Sequence, residues 1–423
     1  MSTTRIVELS TRIAANTIKL DEYLKSHNLL TPSFDVDGPL DTLVPKDEIE
    51  IEKSRISIIE DTTELRRLAL GPKEHLMNFS QNDLLSQDAI SHLSIAHGFP
   101  VGSETTFLEI AARAGIREVR AKQIVRHAIA RGIFCEPRPG VVAHSAASRI
   151  LVEDRGVSDY VGANTEELWR AATCSVFALG RFPGSEEPNE TGFALSNRTD
   201  KSFYEFFSEH PGRARRFANA MSAFTGRTGY ELKHIVDGFA WGEGKDKMVV
   251  DVGGSQGFAS FALARAFPSL SFVVQDLEPV VEAAKKDAPA DVAERVSFQS
   301  YDFLTSEQPV KGAGVYFFRW IFHEWSDKYA VKILQNLIPA LRPGAKIVVN
   351  DEVLPVPGTV GAFEELRIRD LDLTMAELQN SHERELDDWK KLFKSADERF
   401  EFLEAKRPEG SNMWVIVLEW KGN

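Results

Sequence analysis

No stretch of the 423 residues reaches the roughly 18 consecutive apolar side chains that a membrane-spanning helix needs, so no span is expected. Cysteine is nearly missing: Cys135 and Cys174 are the whole supply, which leaves no disulfide framework and fits a reducing compartment. No Cys/His cluster stands at zinc spacing, and no carboxylate cluster demands a metal, so no metal is expected. Positive charge is in deficit, with 50 Lys and Arg against 63 Asp and Glu and a net charge of −13. That balance argues against general binding to nucleic acid or to an anionic membrane surface. The opening residues, Met-Ser-Thr-Thr-Arg-Ile-Val-Glu, lack the apolar core of a secretion signal. A cytoplasmic location is therefore expected. There is no internal repeat and no low-complexity tract. What remains is an ordinary globular composition, 43% hydrophobic and 27% charged, in a chain long enough for two or three subdomains.

The most informative segment is Val249-Val-Asp-Val-Gly-Gly-Ser-Gln-Gly257. It reads as a buried parallel strand ending in an acid, a tight turn with Gly253, Gly254 and Gly257, and the start of the helix Phe258–Phe267. The glycines allow positive φ and close approach of a ligand. A second apolar run, Phe272-Val-Val-Gln-Asp276, ends in the acid that a nucleotide-binding α/β unit uses for ribose hydroxyls. The turn is not Gly-x-Gly-x-x-Gly. Asp251 would repel a pyrophosphate but suit a cationic or amino-bearing ligand, an arrangement that resembles the adenosylmethionine site of class I methyltransferases.

From about 246 onward, strands and helices alternate, implying a doubly wound, mostly parallel sheet. Ahead of it, residues 4–26 have the periodicity of an amphipathic helix, and a second helix is expected at 58–70, stopped by Gly71-Pro72. Residues 82–150 read as three helices followed by a two-stranded wing at 133–143, a winged-helix module. Its third helix carries Arg120, Lys122, Arg126 and Arg131, which could read DNA, but a solvated face on a dimerisation module is the favoured expectation. The segment 203–230 is rich in aromatics at helical spacing, mostly core and partly a lining for a flat ligand. The expected divisions are 1–80, an N-terminal helical extension for dimerisation; 81–160, the winged-helix dimerisation domain; 161–240, a helical connector lining the pocket; and 241–423, the catalytic domain.

The other chemical segment is Tyr316-Phe-Phe-Arg-Trp-Ile-Phe-His-Glu-Trp-Ser-Asp327. A strand ends near Phe318, and the loop after it lies on the same rim as the glycine turn, placing His323 where a proton-transfer group is useful. Glu352, after the strand 345–350, and Glu383, before the last helix, occupy equivalent places. A carboxylate beside a base imidazole raises its basicity and holds its tautomer.

These blocks, with Gln275-Asp-Leu-Glu-Pro279, Asn350-Asp-Glu-Val-Leu-Pro355 and His382-Glu-Arg384, give the chain its family likeness from about 75 to 423. It resembles the adenosylmethionine-dependent O-methyltransferases of the plant caffeate/flavonoid type, and above all their fungal relatives in polyketide and alkaloid pathways. The resemblance implies S-adenosyl-L-methionine as cofactor, held by Asp251, Gly253, Gly254, Gly257, Asp276, Leu277 and Arg319. Asp302 and Phe303 would lie at the adenine. His323 would be the general base, flanked by Glu352 and Glu383. Trp320, Met375 and Asn380 would contact a small aromatic or polyketide substrate, and a homodimer would form through the N-terminal helices. Arg319 stands where plant members carry Lys, Glu324 replaces an Asp, and Ser255-Gln256 replaces Gly-Thr. Two other readings stay open: a methyltransferase-fold enzyme that binds the cofactor yet catalyses a dehydration or pericyclic step, and a ligand-sensing winged-helix regulator. N-methylation in the same pocket is also compatible with the residues.

Overall fold

The computed structural model describes residues 3–45, 47–243, 247–286 and 288–422. The chain divides into two compact units. The first comprises the residues up to Arg170, with Phe207–Phe224 and Gly361–Glu364; the second comprises Ala171–Phe206, Thr225–Val360 and Glu365–Asn423.

In the first unit, α1 (Arg5–Ser26) packs against α2 (Ile49–Met77), joined by ion pairs from Arg5 to Glu64 and from Arg12 to Asp61. The second helix is longer than its sequence suggests. Gly71 leaves the helical region (φ 71°, ψ 167°), but Pro72 suits the first turn of a new helical segment, so the pair kinks the rod rather than ending it. Of the apolar stripe on α1, Leu9 and Leu24 are buried, whereas Ile6, Val7 and Ile18 face outward.

Next come α3 (Asn82–His92), β1 (Glu104–Thr106), α4 (Phe107–Ala114), α5 (Glu118–Ala130), β2 (Phe134–Arg138) and β3 (Val141–His144). A capping box of Thr106 and Glu109 starts α4, and Gly115, at φ 67°, closes it. The three helices and the β2–β3 hairpin stand where the sequence places them. The strand β1, too short to leave a periodic signal, completes an antiparallel sheet of order β1-β3-β2. Two cations of this segment are engaged at home: Arg126 of α5 donates to Glu136 at 2.9 Å, and Arg131, just past its end, to Asp83 at 2.6 Å.

The second unit is built on β4 (Met248–Val252), β5 (Ser271–Asp276), β6 (Val296–Ser300), β7 (Val315–Arg319), β8 (Lys346–Asp351), β9 (Phe400–Lys406) and β10 (Trp414–Trp420). Their order is β6-β5-β4-β7-β8-β10-β9, parallel except where β10 runs antiparallel between β8 and β9. The chain order reverses at β4, where one half of the sheet continues through β5 and the other through β7. Both faces are apolar, as a doubly wound sheet requires. Tyr316, Phe318, Ile347 and Val349 pack into one core with Trp389 and Leu334, while Phe317 and Val348 pack into the other with Phe261 and Trp241. Successive strand residues thus alternate between two cores. Two elements were not legible in the sequence. The helix Ala362–Gln379 carries charges around its circumference and shows no one-sided stripe, and the edge strand β9 is broken by Glu401 and Glu404.

Candidate active site

The carboxyl ends of β4, β5, β7 and β8 share one rim. After β4 the chain turns through Gly253 and Gly257, at φ 72° and 80°, with Ser255 also left-handed at 50°. Gly254 has a steric reason to be glycine, because a Cβ there would lie 2.6 Å from Asp251 Cγ and 2.8 Å from a Val274 methyl. Asp251 itself is buried under the turn and accepts a hydrogen bond from Ser260 at 2.6 Å; burial raises its pKa to about 6. It supports the loop from below rather than lining its outer face.

Asp276 ends β5 half-buried. Its two oxygens accept the Ser255 amide at 2.9 Å and the Leu277 amide at 2.8 Å, so the acid is aimed along the glycine turn, and burial raises its pKa. Leu277 beside it is exposed. Asp302 caps its own turn, accepting from the Leu304 amide at 2.9 Å and the Thr305 hydroxyl at 2.8 Å. Phe303 reaches the turn: its ring would lie 3.5 Å from a Cβ on Gly253, and it meets Trp325 edge to face at 6.0 Å.

At the end of β7, Arg319 is held inward by Asn350 Oδ1 and by the Tyr230 carbonyl at 3.0 Å, and burial lowers its pKa to about 10. Trp320 follows in a left-handed conformation, φ 57°. Then a short 3₁₀ turn, Phe322–Glu324, presents His323. This loop is gripped from behind by the fully buried Arg384, which donates to the Phe322 carbonyl at 2.7 Å, the Trp325 carbonyl at 2.8 Å and Asp327 at 2.8 Å.

His323 is 6% exposed, and its Nδ1 lies 2.9 Å from Glu383 Oε1. Burial works against its cation, but the charge and hydrogen bond of Glu383, with Asp351 and Glu324 nearby, overcome that and raise the pKa to about 9. Asp351 is fully buried and accepts the Phe322 amide at 3.2 Å; burial lifts its pKa to about 7, and His323 and Glu383 are its charged neighbours. Among the described residues, Asp351 Oδ1 and Glu383 Oε2 have no hydrogen-bond partner.

The structure thus brings His323 and Glu383 together and directs Glu352 elsewhere. Glu352 is fully buried but locked to Arg367 by two bonds of 2.6 Å, and it accepts the Tyr230 hydroxyl at 2.7 Å. The carboxylate coupled to His323 from this strand end is Asp351, its neighbour. The signal was strand parity: Asp351 shares the side of Val349, whose core includes Phe322, whereas Glu352 faces the other way. Met375 is buried on the helix Ala362–Gln379. Asn380, at φ 56°, donates its amide to the carbonyls of Ser185 at 2.9 Å and Glu187 at 3.2 Å, so this nitrogen ties down a loop.

A glycine turn that crowds out any Cβ, an acid aimed along it, and a buried imidazole among carboxylates share one rim, an arrangement with room for a nucleoside-type cofactor beside a group able to move a proton. The acidic surroundings of His323 fit a cationic group such as a sulfonium. The O-methyltransferase domain family matches residues 199–398. O-methyltransferase pyvH of Aspergillus violaceofuscus is 39% identical, with all of both chains covered. The grayanic acid biosynthesis cluster O-methyltransferase of Cladonia grayi is 41% identical over 98% of this chain and 88% of its own. In fold, the chain is similar to OxaC in complex with SAH and oxaline, with a TM-score of 0.74 at 21% identity over 98% of this chain and all of that one. The chain belongs to the O-methyltransferase family, enzymes whose methyl donor is S-adenosylmethionine.

Proposed function

We propose that the enzyme methylates a hydroxyl of a small aromatic or polyketide/alkaloid secondary metabolite, with His323 as general base. One observation carries this reading: the buried 2.9 Å contact of His323 Nδ1 with Glu383, which leaves Nε2 to exchange the acceptor's proton. A phenol, with a pKa of about 10, is scarcely ionised at neutral pH. Removing its proton as the oxygen attacks is worth on the order of 10²–10⁴-fold. Glu383 fixes the imidazole tautomer and, with Asp351, stabilises the imidazolium that forms. When bound, S-adenosylmethionine supplies an electrophilic methyl on sulfur, transferred by in-line displacement. The turn Gly253, Gly254 and Gly257 over Asp251 would receive its methionyl part, Asp276 the ribose hydroxyls, and Leu277, Asp302 and Phe303 the adenine. Arg319 would hold the rim through Asn350 and Tyr230. Trp320, Met375 and Asn380 would border the acceptor.

The module at 81–160 is read as a winged helix that serves dimerisation, together with the extension 1–80, and 161–240 as the pocket-lining connector to the catalytic residues 241–423. The exposed Ile6, Val7 and Ile18 of α1 support a second subunit as partner. A cytoplasmic location belongs to the same reading.

Calorimetric titration with S-adenosylmethionine, paired with labelled-cofactor assays on a panel of phenols, tests it. Asp276→Ala is expected to weaken cofactor binding by roughly 10²-fold, since charged hydrogen bonds to the ribose are lost. Binding that tolerates Asp276→Ala contradicts the assignment. Tight binding without transfer to any acceptor would favour a non-methylating step.

A further inference from the structure

The fully buried Glu352 and the partly buried Arg367 form an ion pair at the rim of the site that the proposed chemistry does not use. An ion pair with a buried member is weak evidence for stability, so what else it contacts matters. Here the pair holds a third group. The Tyr230 hydroxyl donates to Glu352 at 2.7 Å and accepts from Arg367 Nη1 at 2.6 Å, while the Tyr230 carbonyl accepts from Arg319 at 3.0 Å. Tyr230 is thus fixed at both its side chain and its backbone, and it is 2% exposed.

Its ring lies 5.6 Å from Trp320, and Trp320 lies 4.9 Å from the His323 ring. Trp320 sits in the left-handed region, φ 57°, which a bulky residue occupies only when its surroundings hold it there. Its indole nitrogen is buried with no hydrogen-bond partner among the described residues. No polar anchor therefore orients the indole, and the rings of Tyr230 and His323 both pack against it. Glu383 holds one nitrogen of His323, and Trp320 packs against the imidazole at an interplanar angle of 49°.

We infer that Tyr230, anchored by the Glu352–Arg367 pair, is a positioning residue that fixes Trp320 and through it the His323 ring. Glu352 then acts through Tyr230 and takes no proton in the reaction. The inference rests on His323 being the base of the proposed transfer.

The test uses the full chain with Tyr230→Phe, Tyr230→Leu, Glu352→Gln and the double variant Tyr230→Phe/Glu352→Gln. Methyl transfer, calorimetric binding of S-adenosylmethionine and the His323 imidazole resonance, assigned by its loss in His323→Ala, are read together. Tyr230→Leu and Glu352→Gln are expected to lower kcat by about 10- to 100-fold, the scale of a small misplacement, with cofactor Kd and acceptor KM held within about threefold. The His323 resonance should move with them, and the pH at half-maximal kcat should stay in place. Tyr230→Phe keeps the ring and should lose less, and the double variant should be no worse than Glu352→Gln alone, because the two groups act in series. Wild-type kcat with an unmoved resonance overturns the inference. So does additive loss in the double variant, or a pH profile displaced by Glu352→Gln, which would mark a direct proton role. A resonance that moves in a chain transferring no methyl upholds the positioning contact and overturns the proposed reaction instead.

Discussion

A histidine buried among three carboxylates does not behave as a histidine in water. His323 is raised to about 9 because Glu383, with Asp351 and Glu324, outweighs the burial penalty. The cation is therefore the resting form at neutral pH, and the neutral imidazole that the proposed proton removal requires grows in as pH rises. The rate constant kcat/KM should climb to a plateau above about pH 9. In Glu383→Gln the opposing burial remains while the main stabilising charge goes. The rising limb should move to lower pH, and the plateau should fall by on the order of 10²-fold or more. A limb that stays in place would show that Glu383 does not set this pKa. Stability has the same sign. The folded value lies above that of free histidine, about 6.5, so the pair's contribution is complete below that pH and fades as pH rises through about 9. At this scale the sequence made the residue types legible but not every direction. Asp351 and Glu352 are adjacent, and strand parity separates them only once the core that Val349 shares with Phe322 is known.

Among the elements, the β4 turn and the loop after β7 were legible because each joins a β-branched or aromatic run to residues with a physical signature: glycines beside an acid, and an imidazole between tryptophans. The helix Ala362–Gln379 was not, since its partners are spread around it. Ile368 and Met375 are buried, whereas Leu366 and Leu373 are exposed. Arg384, which holds the His323 loop, was visible only as one more charge beside Glu383. Its removal should release that loop. Arg384→Met leaves two buried carbonyls without their donor, at a cost of about 2–4 kcal/mol. Urea denaturation should register this as a lower midpoint with an unchanged slope. An unaltered midpoint would mean the three contacts are dispensable.

Over the whole molecule, alternation of strands and helices sufficed to read a mostly parallel doubly wound sheet, while the antiparallel return of β10 between β8 and β9 is a topological choice that periodicity does not encode. No helix among the described residues is long and apolar enough to cross a membrane. Leu76, Met77 and Phe79 at the end of α2 are each at least 70% exposed, an apolar cluster that the proposed second subunit would cover. Light scattering is expected to give about twice the 47.3 kDa of one chain, and Leu76→Asp with Phe79→Asp to shift it toward one chain without loss of helical signal. A monomeric wild type would contradict dimerisation. The central claim, that a buried histidine on this sheet's rim removes the acceptor's proton for methyl transfer, meets its most direct test in His323→Ala. Cofactor affinity should stay within about threefold of wild type while transfer of labelled methyl to a phenol falls by at least about 10²-fold. Transfer at the wild-type rate in that variant would contradict it.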